Sequence, residues 1–519
     1  MLLSSGLGAA AACTLTDYGH LQSGTVDGAD RTRASVRDCS PGLPDDGYVP
    51  SSEYLLEAQP NIDYVVSCAQ FWFGARAEAG GYYTNVARDG TPEVTGPKEP
   101  MTQSRHAYGF VRAFMLTGDE TFLEHAEHAL DYLYSLRLAE EGGWYPDHSS
   151  FFEHYALLGP STYCEATLDP THCGWRDRGM ADLDEKLWDP DPEQFGYFEL
   201  GGASWRAPSG KSFGATVDAL ATHDYIKWLE DPPSRGQRLL ELGENLLTHF
   251  VPLLGTNTNG FSFPDRFATN WSPAVSYTNY PGHTFKASWN LSRLFAIDGD
   301  ERWRSGAEQT IDEVLTKAWD ETLDYRIVNP SGAPTEWWEL EQAFTAGISA
   351  WYTGRTPELR ARYLKLADEG IAAFHRVFDD PEYGEAFKLP SGEGLKSDTY
   401  KASYHTTETG YYSLLYGQLF YRHRSVSLFY RFEPSAEPRT VHLTPIYSPR
   451  LRITDVSLDG APYESYGSMT RRLDIPAGTG GVFEVTFWID DTAAAVRDGS
   501  RQPCRLAPAV SNQRLAPNP

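Results

Sequence analysis

A turn that joins glycine to an aromatic side chain recurs along most of this chain at intervals of roughly 60 residues. It reads Gly80-Gly81-Tyr82-Tyr83, Gly142-Gly143-Trp144-Tyr145, Phe195-Gly196-Tyr197-Phe198 and Asn259-Gly260-Phe261, then weakens to Asp324-Tyr325 and Glu382-Tyr383-Gly384. Such an interval is what two helices of about 12 to 18 residues and their connections require. Six marks therefore imply six helical hairpins. Hairpins stacked in a line make a solenoid. Hairpins closed in a ring make an (α/α)6 barrel, with inner helices around a cavity and outer helices facing water. Closure is the preferred expectation, because several of the helices carry polar and aromatic residues that need a shared interior.

The helices between the marks are legible from their apolar spacing. Arg105 to Leu116 carries Tyr108, Phe110, Val111, Phe114 and Met115, and stops at Thr117-Gly118-Asp119; Phe122 to Leu136 is its partner. Leu239 to Leu254, Trp303 to Leu315 and Leu359 to Phe378 are further amphipathic stretches. The Pro- and Asp-rich segment from Gly159 to Asp191 breaks the pattern and reads as a long loop over the cavity mouth. After about residue 424 the period becomes alternating. Residues 425–430, 440–443, 451–453 and 482–489 read as strands, with turns at Asp459-Gly460 and Gly478-Thr479-Gly480-Gly481. The expected architecture is mainly α. It comprises a leader at 1–13, a linker and lead-in at 14–60, the barrel at 61–423, a small antiparallel β-sandwich domain at 424–490 and a disordered tail at 491–519.

The chain carries 71 acidic residues against 44 Lys and Arg, a formal charge of −27. Phosphate backbones need a basic surface, so nucleic acid is excluded as a partner. No apolar run is long enough for a transmembrane helix. The start, MLLSSGLGAAAAC, resembles the cleavage and lipidation site of a bacterial lipoprotein, although its apolar stretch is short and no Lys or Arg precedes it. The expectation is an exported, periplasmic or cell-surface protein that touches membrane only through a lipid on Cys13; with an unstructured start instead, the chain is cytoplasmic. Cys164 and Cys173 bracket a Pro-containing stretch and can close a small disulfide; Cys39 with Cys68 is a second candidate pair. No metal-finger spacing occurs.

Four expected helix starts concentrate polar residues: Gln103-Ser104-Arg105-His106-Ala107-Tyr108, Pro281-Gly282-His283-Thr284-Phe285-Lys286, Glu336-Trp337-Trp338-Glu339-Leu340-Glu341, and Lys401-Ala402-Ser403-Tyr404-His405-Thr406-Thr407-Glu408. In a ring of hairpins, residues far apart in sequence converge on one pocket. Pro281 fixes its own φ and Gly282 tolerates unusual backbone, which makes a tight helix start ahead of His283. A titratable ring there, backed by Phe285 and Trp289, suits acid–base work on a sugar; a buried, hydrogen-bonded histidine is the alternative. His125 and His128 lie at i, i+3 on an outer helix, where a solvated face is expected rather than a metal site.

These pieces, taken in order, resemble the N-acylglucosamine 2-epimerase family with its cellobiose 2-epimerase and mannose isomerase relatives. The matching residues are Gln103, Arg105, Tyr108 and Phe110 with Thr117-Gly118-Asp119, then Pro281-Gly282-His283 with Trp289, then Trp337-Trp338 with Glu341, then Tyr404-His405, over roughly residues 60–420. The resemblance implies an (α/α)6 barrel and a reaction at the carbonyl of a mono- or oligosaccharide that uses no metal and no cofactor. It implies that His283 and His405 move a proton through an enediolate and that Arg105 stabilises its oxygen. Trp337 or Trp338 would stack on the ring, Glu341 would hold a neighbour in place, and Tyr108, Lys286, Trp289 and Tyr404 would complete the substrate-binding set. Two positions depart from the family pattern. Lys286 stands where the family has a glutamate, which favours a neutral His283. Ala215, in Gly214-Ala215-Thr216-Val217-Asp218, stands where it has a third histidine, for which His223 substitutes only in another register. A glycoside hydrolase or polysaccharide lyase is the second reading, with Asp379, Asp380 and Glu385 as acids; hydrolysis would need two carboxylates about 5 to 10 Å apart. An inactive sugar-binding surface protein is the third.

Overall fold

The computed structural model describes residues 47–258, 261–274, 280–330 and 332–490. The lipoprotein-like start with Cys13, most of the expected lead-in, Cys39, Asn259-Gly260, Cys504 and the expected tail lie outside the described residues. The described residues belong to one compact unit, Cys39–Pro519. They are mainly helical, with small antiparallel sheets towards the C-terminal end. Among the described residues no helix is long and apolar enough to cross a membrane.

The principal helices are α1 (Gln59–Phe71), α2 (Pro100–Thr117), α3 (Thr121–Ser135), α4 (Ser150–Ala156), α5 (Leu158–Thr167), α6 (Pro170–Lys186), α7 (His223–Glu230), α8 (Pro232–Asn245), α9 (Pro281–Asp298), α10 (Glu301–Lys317), α11 (Trp337–Thr353), α12 (Pro357–Phe378) and α13 (Tyr404–Leu414). They pack in pairs: α2 on α3, α5 on α6, α7 on α8, α9 on α10, α11 on α12, and α13 on α1. Within most pairs the two sequences differ in kind. α2 is buried from Pro100 to Leu116, whereas α3 buries only the stripe Phe122, Leu123, Ala126, Ala129, Leu130, Leu133 and Tyr134. A helix buried all round lies inside, and one with a single apolar stripe covers it. The buried helices touch in succession: α2 meets α5 and α13, α5 meets α7, and α11 meets α9 and α13. Small residues permit the close approaches. A Cβ on Gly347 of α11 would lie 2.6 Å from the backbone N of Ala367 and 2.8 Å from the carbonyl O of Tyr363 on α12.

The glycine–aromatic turns bring each chain segment back against an outer helix. Gly80 and Gly81 both adopt positive φ, and a Cβ on Gly81 would meet the Tyr132 ring at 2.6 Å. His125 and His128 are engaged beneath this turn rather than on a solvated face. His125 bonds the Tyr82 hydroxyl and stacks on Phe73, and His128 bonds the Ala77 carbonyl.

The segment 159–191 is not a lid loop. Most of it is helix, in α5 and α6, joined by a turn at Leu168-Asp169 and pinned by the Cys164–Cys173 disulfide. The residues that read as loop are cap chemistry. The Asp169 carboxylate accepts from the backbone N of Thr171 and His172, and Pro170 occupies the first helical position. Cys68 is a buried free thiol.

From Val426 onward the chain is extended: β1 (Val426–Phe432), β2 (Arg439–His442), β3 (Leu451–Leu458), β4 (Ala461–Pro462), β5 (Tyr466–Gly467), β6 (Arg472–Ile475) and β7 (Gly481–Ile489). One antiparallel sheet runs β1-β7-β3-β4 and another β2-β6-β5. Val485 of β7 faces Leu428 on one side and Val456 on the other, and the alternating burial along β1 and β7 matches the period-two pattern. Asp459 and Gly460, both at positive φ, make the β3–β4 turn.

Candidate active site

The Pro-Gly-His start of α9 is explained by what lies against it. Gly282 has ordinary φ, so its need is space rather than unusual backbone. A Cβ there would sit 2.5 Å from the Trp338 ring. Its backbone N donates to Glu339 at 3.2 Å, which ties the first turn of α9 to that of α11. Trp338 is thereby free to lie beside the next residue. The His283 ring stands 5.1 Å from Trp338, stacks on Phe213 at 4.7 Å and meets Tyr280 edge-on. Burial, opposed by Asp218 and reinforced by Lys286, lowers its pKa to about 4, so the ring is neutral at neutral pH.

His405, in the first turn of α13, lies 6.3 Å from the same indole. Trp338, half-buried, therefore borders both imidazoles. His405 Nδ1 is 2.9 Å from Glu341 Oε2 and 3.7 Å from Glu408 Oε2. This leaves Nε2 as the working nitrogen. Burial, with Arg105, Lys286, Lys401 and His283 adding positive charge around it, pushes its pKa well down. Burial and mutual repulsion push the Glu341 carboxyl well up, and burial raises Glu408 as well. Glu341 Oε1 and Glu408 Oε2 have no other partner. One proton shared between them satisfies both, as in other close carboxyl pairs. Gln342 bonds Glu341, and the Tyr404 hydroxyl donates to Glu408 Oε1 at 3.1 Å. One donor atom each from Glu341, His405 and Glu408 lie within 4.8 Å of one another, the one such cluster able to hold a metal ion among the described residues.

The cationic side of the site runs from Arg105 to Lys286 through Tyr155. Arg105 donates to the Tyr400 carbonyl and lies 4.1 Å over the Tyr155 ring. Tyr155 Oη is 3.0 Å from both Lys286 Nζ and Asp218 Oδ1, and Lys286 closes a buried ion pair with Asp218. Asp218 ends the π-helical turn Gly214–Asp218, the segment in which Ala215 replaces the expected histidine. His223 is fully buried, with its Nε2 2.8 Å from His154 Nδ1.

The remaining sequence-derived residues sit one layer back. Tyr108 is buried against Tyr404 at 4.9 Å, edge to face. Trp289 is buried and donates to Gln342 Oε1 at 2.7 Å, so it positions the residue that bonds Glu341. Trp337 is buried with Lys401 above its ring at 5.1 Å. The sequence gives no signal for Tyr155 and Phe213. Glu408 and Asp218 stand in stretches singled out from the sequence, but without a role assigned to either.

A sequence model of the N-acylglucosamine 2-epimerase (GlcNAc 2-epimerase) family matches residues 81–409. The cellobiose 2-epimerase of Eubacterium cellulosolvens is 22% identical over 368 residues, covering 62% of this chain and 88% of that protein. Among solved structures, a D-mannose isomerase superposes with a TM-score of 0.60 at 16% identity, covering 70% of this chain and 99% of that one. The cellobiose 2-epimerase of Spirochaeta thermophila gives 0.58 at 20% identity, covering 69% and 97%.

Proposed function

The chain belongs to the N-acylglucosamine 2-epimerase family, and on that premise we propose that it epimerises or isomerises a reducing sugar by moving a proton at the carbon beside the carbonyl. The observation that carries this reading is the pair of imidazoles bordering one half-buried indole, with two buried carboxyl groups behind one of them. Trp338 stacks on the sugar. Neutral His283 takes the proton from C2. Arg105, with Lys286 behind Tyr155, stabilises the negative oxygen of the enediolate. His405 returns a proton from Nε2 while Nδ1 is refilled from the proton held by Glu341 and Glu408; His283 then releases its proton to solvent and the carboxyl pair takes one up, which resets the site. Return to the opposite face of C2 gives the epimer; return to the neighbouring carbon gives the ketose.

The same reading takes the succession of buried helices as a closed (α/α)6 barrel at 61–423, followed by a β-sandwich domain at 424–490. The Met1–Cys13 segment supports export and lipid anchoring. The hydrolase reading has less support. Asp379, Asp380 and Glu385 are engaged by His375, by Arg88 and Lys396, and by Lys401. Glu341 and Glu408 lie on one side of His405, with donor atoms within 4.8 Å, rather than flanking a gap.

Incubation with reducing mono- and disaccharides in deuterated water, followed by NMR, tests the reading. The expected result is deuterium at C2 with a 2-epimer or ketose, and loss of exchange by at least about a hundredfold in His405→Ala with the circular dichroism unchanged. Full exchange by His405→Ala removes that residue from the mechanism. Oligosaccharides released from a polymer, without exchange, would replace the proposal with hydrolysis or lysis.

A further inference from the structure

Five arginines are buried in the described structure: Arg105, Arg112, Arg176, Arg235 and Arg293. Three have carboxylate partners: Arg112 pairs with Glu165, Arg176 with Glu230, and Arg235 with Asp184 and Asp224. Arg105 faces the candidate active site, where a substrate oxygen completes its bonding. Arg293, on α9 three turns beyond His283, has no carboxylate in bonding range among the described residues. It is 6% exposed; the Tyr416 hydroxyl lies beside its guanidinium, and the Glu408 charge reaches it only from beyond ion-pair distance, so no carboxylate touches it. Its cation lies over Trp289 at 4.1 Å, Tyr225 at 4.6 Å and Tyr412 at 4.8 Å.

Aromatic faces alone do not explain the missing counter-charge. Arg112 has the same kind of cage, over Tyr108 and Tyr411, and still pairs with Glu165. A buried cation without a partner costs several kcal/mol. Against Arg293 lies a small cavity, with ≈ 10 Å³ open to the centre of a water-sized sphere, lined also by Ser292, Tyr225, Ser349, Tyr416 and Tyr352. No carboxylate lines it. Its hydroxyls are poised to donate. Ser292 Oγ has no partner, Tyr416 Oη accepts from Ser349 and Tyr225 Oη accepts from the backbone N of Tyr447, so both phenolic protons remain available.

We propose that this cavity, at the far end of α9 and α11 from the histidine pair, is a structural site for one monatomic anion such as chloride. The volume is about that of one water-sized sphere, which favours a single-atom anion over a carboxylate or phosphate. The lining is made of donors around a fixed cation. The site supplies the counter-charge that Arg112, Arg176 and Arg235 draw from carboxylates.

Two measurements test this on the intact protein. Thermal unfolding is followed at constant ionic strength while gluconate is replaced by chloride or bromide. The expected result is a saturable, halide-specific rise in Tm of several degrees, absent in Arg293→Met and reduced in Tyr416→Phe. Crystals grown in bromide should show an anomalous peak beside the Arg293 guanidinium. Should Arg293→Met fail to fold, the bromide peak and Tyr416→Phe decide. A Tm that follows ionic strength alone, or no anomalous peak at the cavity, overturns the proposal.

Discussion

Burial is the main cause of the low pKa of both histidines, and Lys286 adds to it at each. Its positive charge lowers the pKa of His283 and of His405, while Asp218 compensates part of it for His283. His283 must be neutral to take the proton from C2, so the acid limb of a pH–rate profile reports its titration. Lys286→Gln removes the cation, protonation becomes easier, and the acid limb of kcat/KM should move to higher pH by about one unit. Breaking the pair with Asp218 should also cost about 3–5 kcal/mol in urea unfolding. An unmoved acid limb would show that Lys286 does not act on His283. At this scale the sequence was legible where chemistry coincides with a helix start: Arg105, His283, Glu341 and His405 all sit at one. Tyr155 and Asp218 were not, because each is an ordinary residue until folding brings it against Lys286 from another helix.

Pairs of unlike helices explain why the helical periodicity could be read and the segment 159–191 could not. A one-sided apolar stripe, as in α3, announces an outer helix. α6 has few apolar residues and a start marked by Asp and Pro, so its cap reads as loop until the structure supplies the disulfide and the packing on α5. The strands β1, β3 and β7 were clear from alternation, whereas β4 and β5 are two residues each and leave no period. The contact between α11 and α12 leaves no room for a side chain at Gly347. Gly347→Ala places a methyl against the backbone of Ala367 and should destabilise the protein by about 1–3 kcal/mol, read as a lower urea midpoint with unchanged m. Wild-type stability in that variant would mean that the two helices separate freely at this point.

Over the whole molecule, buried ionisable groups pull stability in opposite directions with pH. Burial lowers His106 to about 3, below its unfolded value, so its contribution is complete above about 6.5 and is lost as pH falls towards 3. Burial raises Glu339 to about 8, so its contribution is complete below about 4.5 and is lost as pH rises towards 8. His106→Phe should therefore flatten the acid side of the stability–pH curve, and Glu339→Gln the alkaline side. Each change should be at most about 1.4 kcal/mol per pH unit, measured by urea unfolding from pH 5 to pH 8. Identical curves for variant and parent would place the titrations elsewhere. The hairpin count and the change to strands near residue 424 were legible at this scale because both are periodicities; which helices touch across the interior was not, because contact order leaves no period. The Lys286–Asp218 bridge carries one more consequence, for descent. Its two residues belong to different helices, yet either charge alone would stand buried and uncompensated. A lineage that replaces them one at a time passes through a weakened ancestor, so the two positions are inherited as a unit, and a library that varies only one of them samples mostly failures.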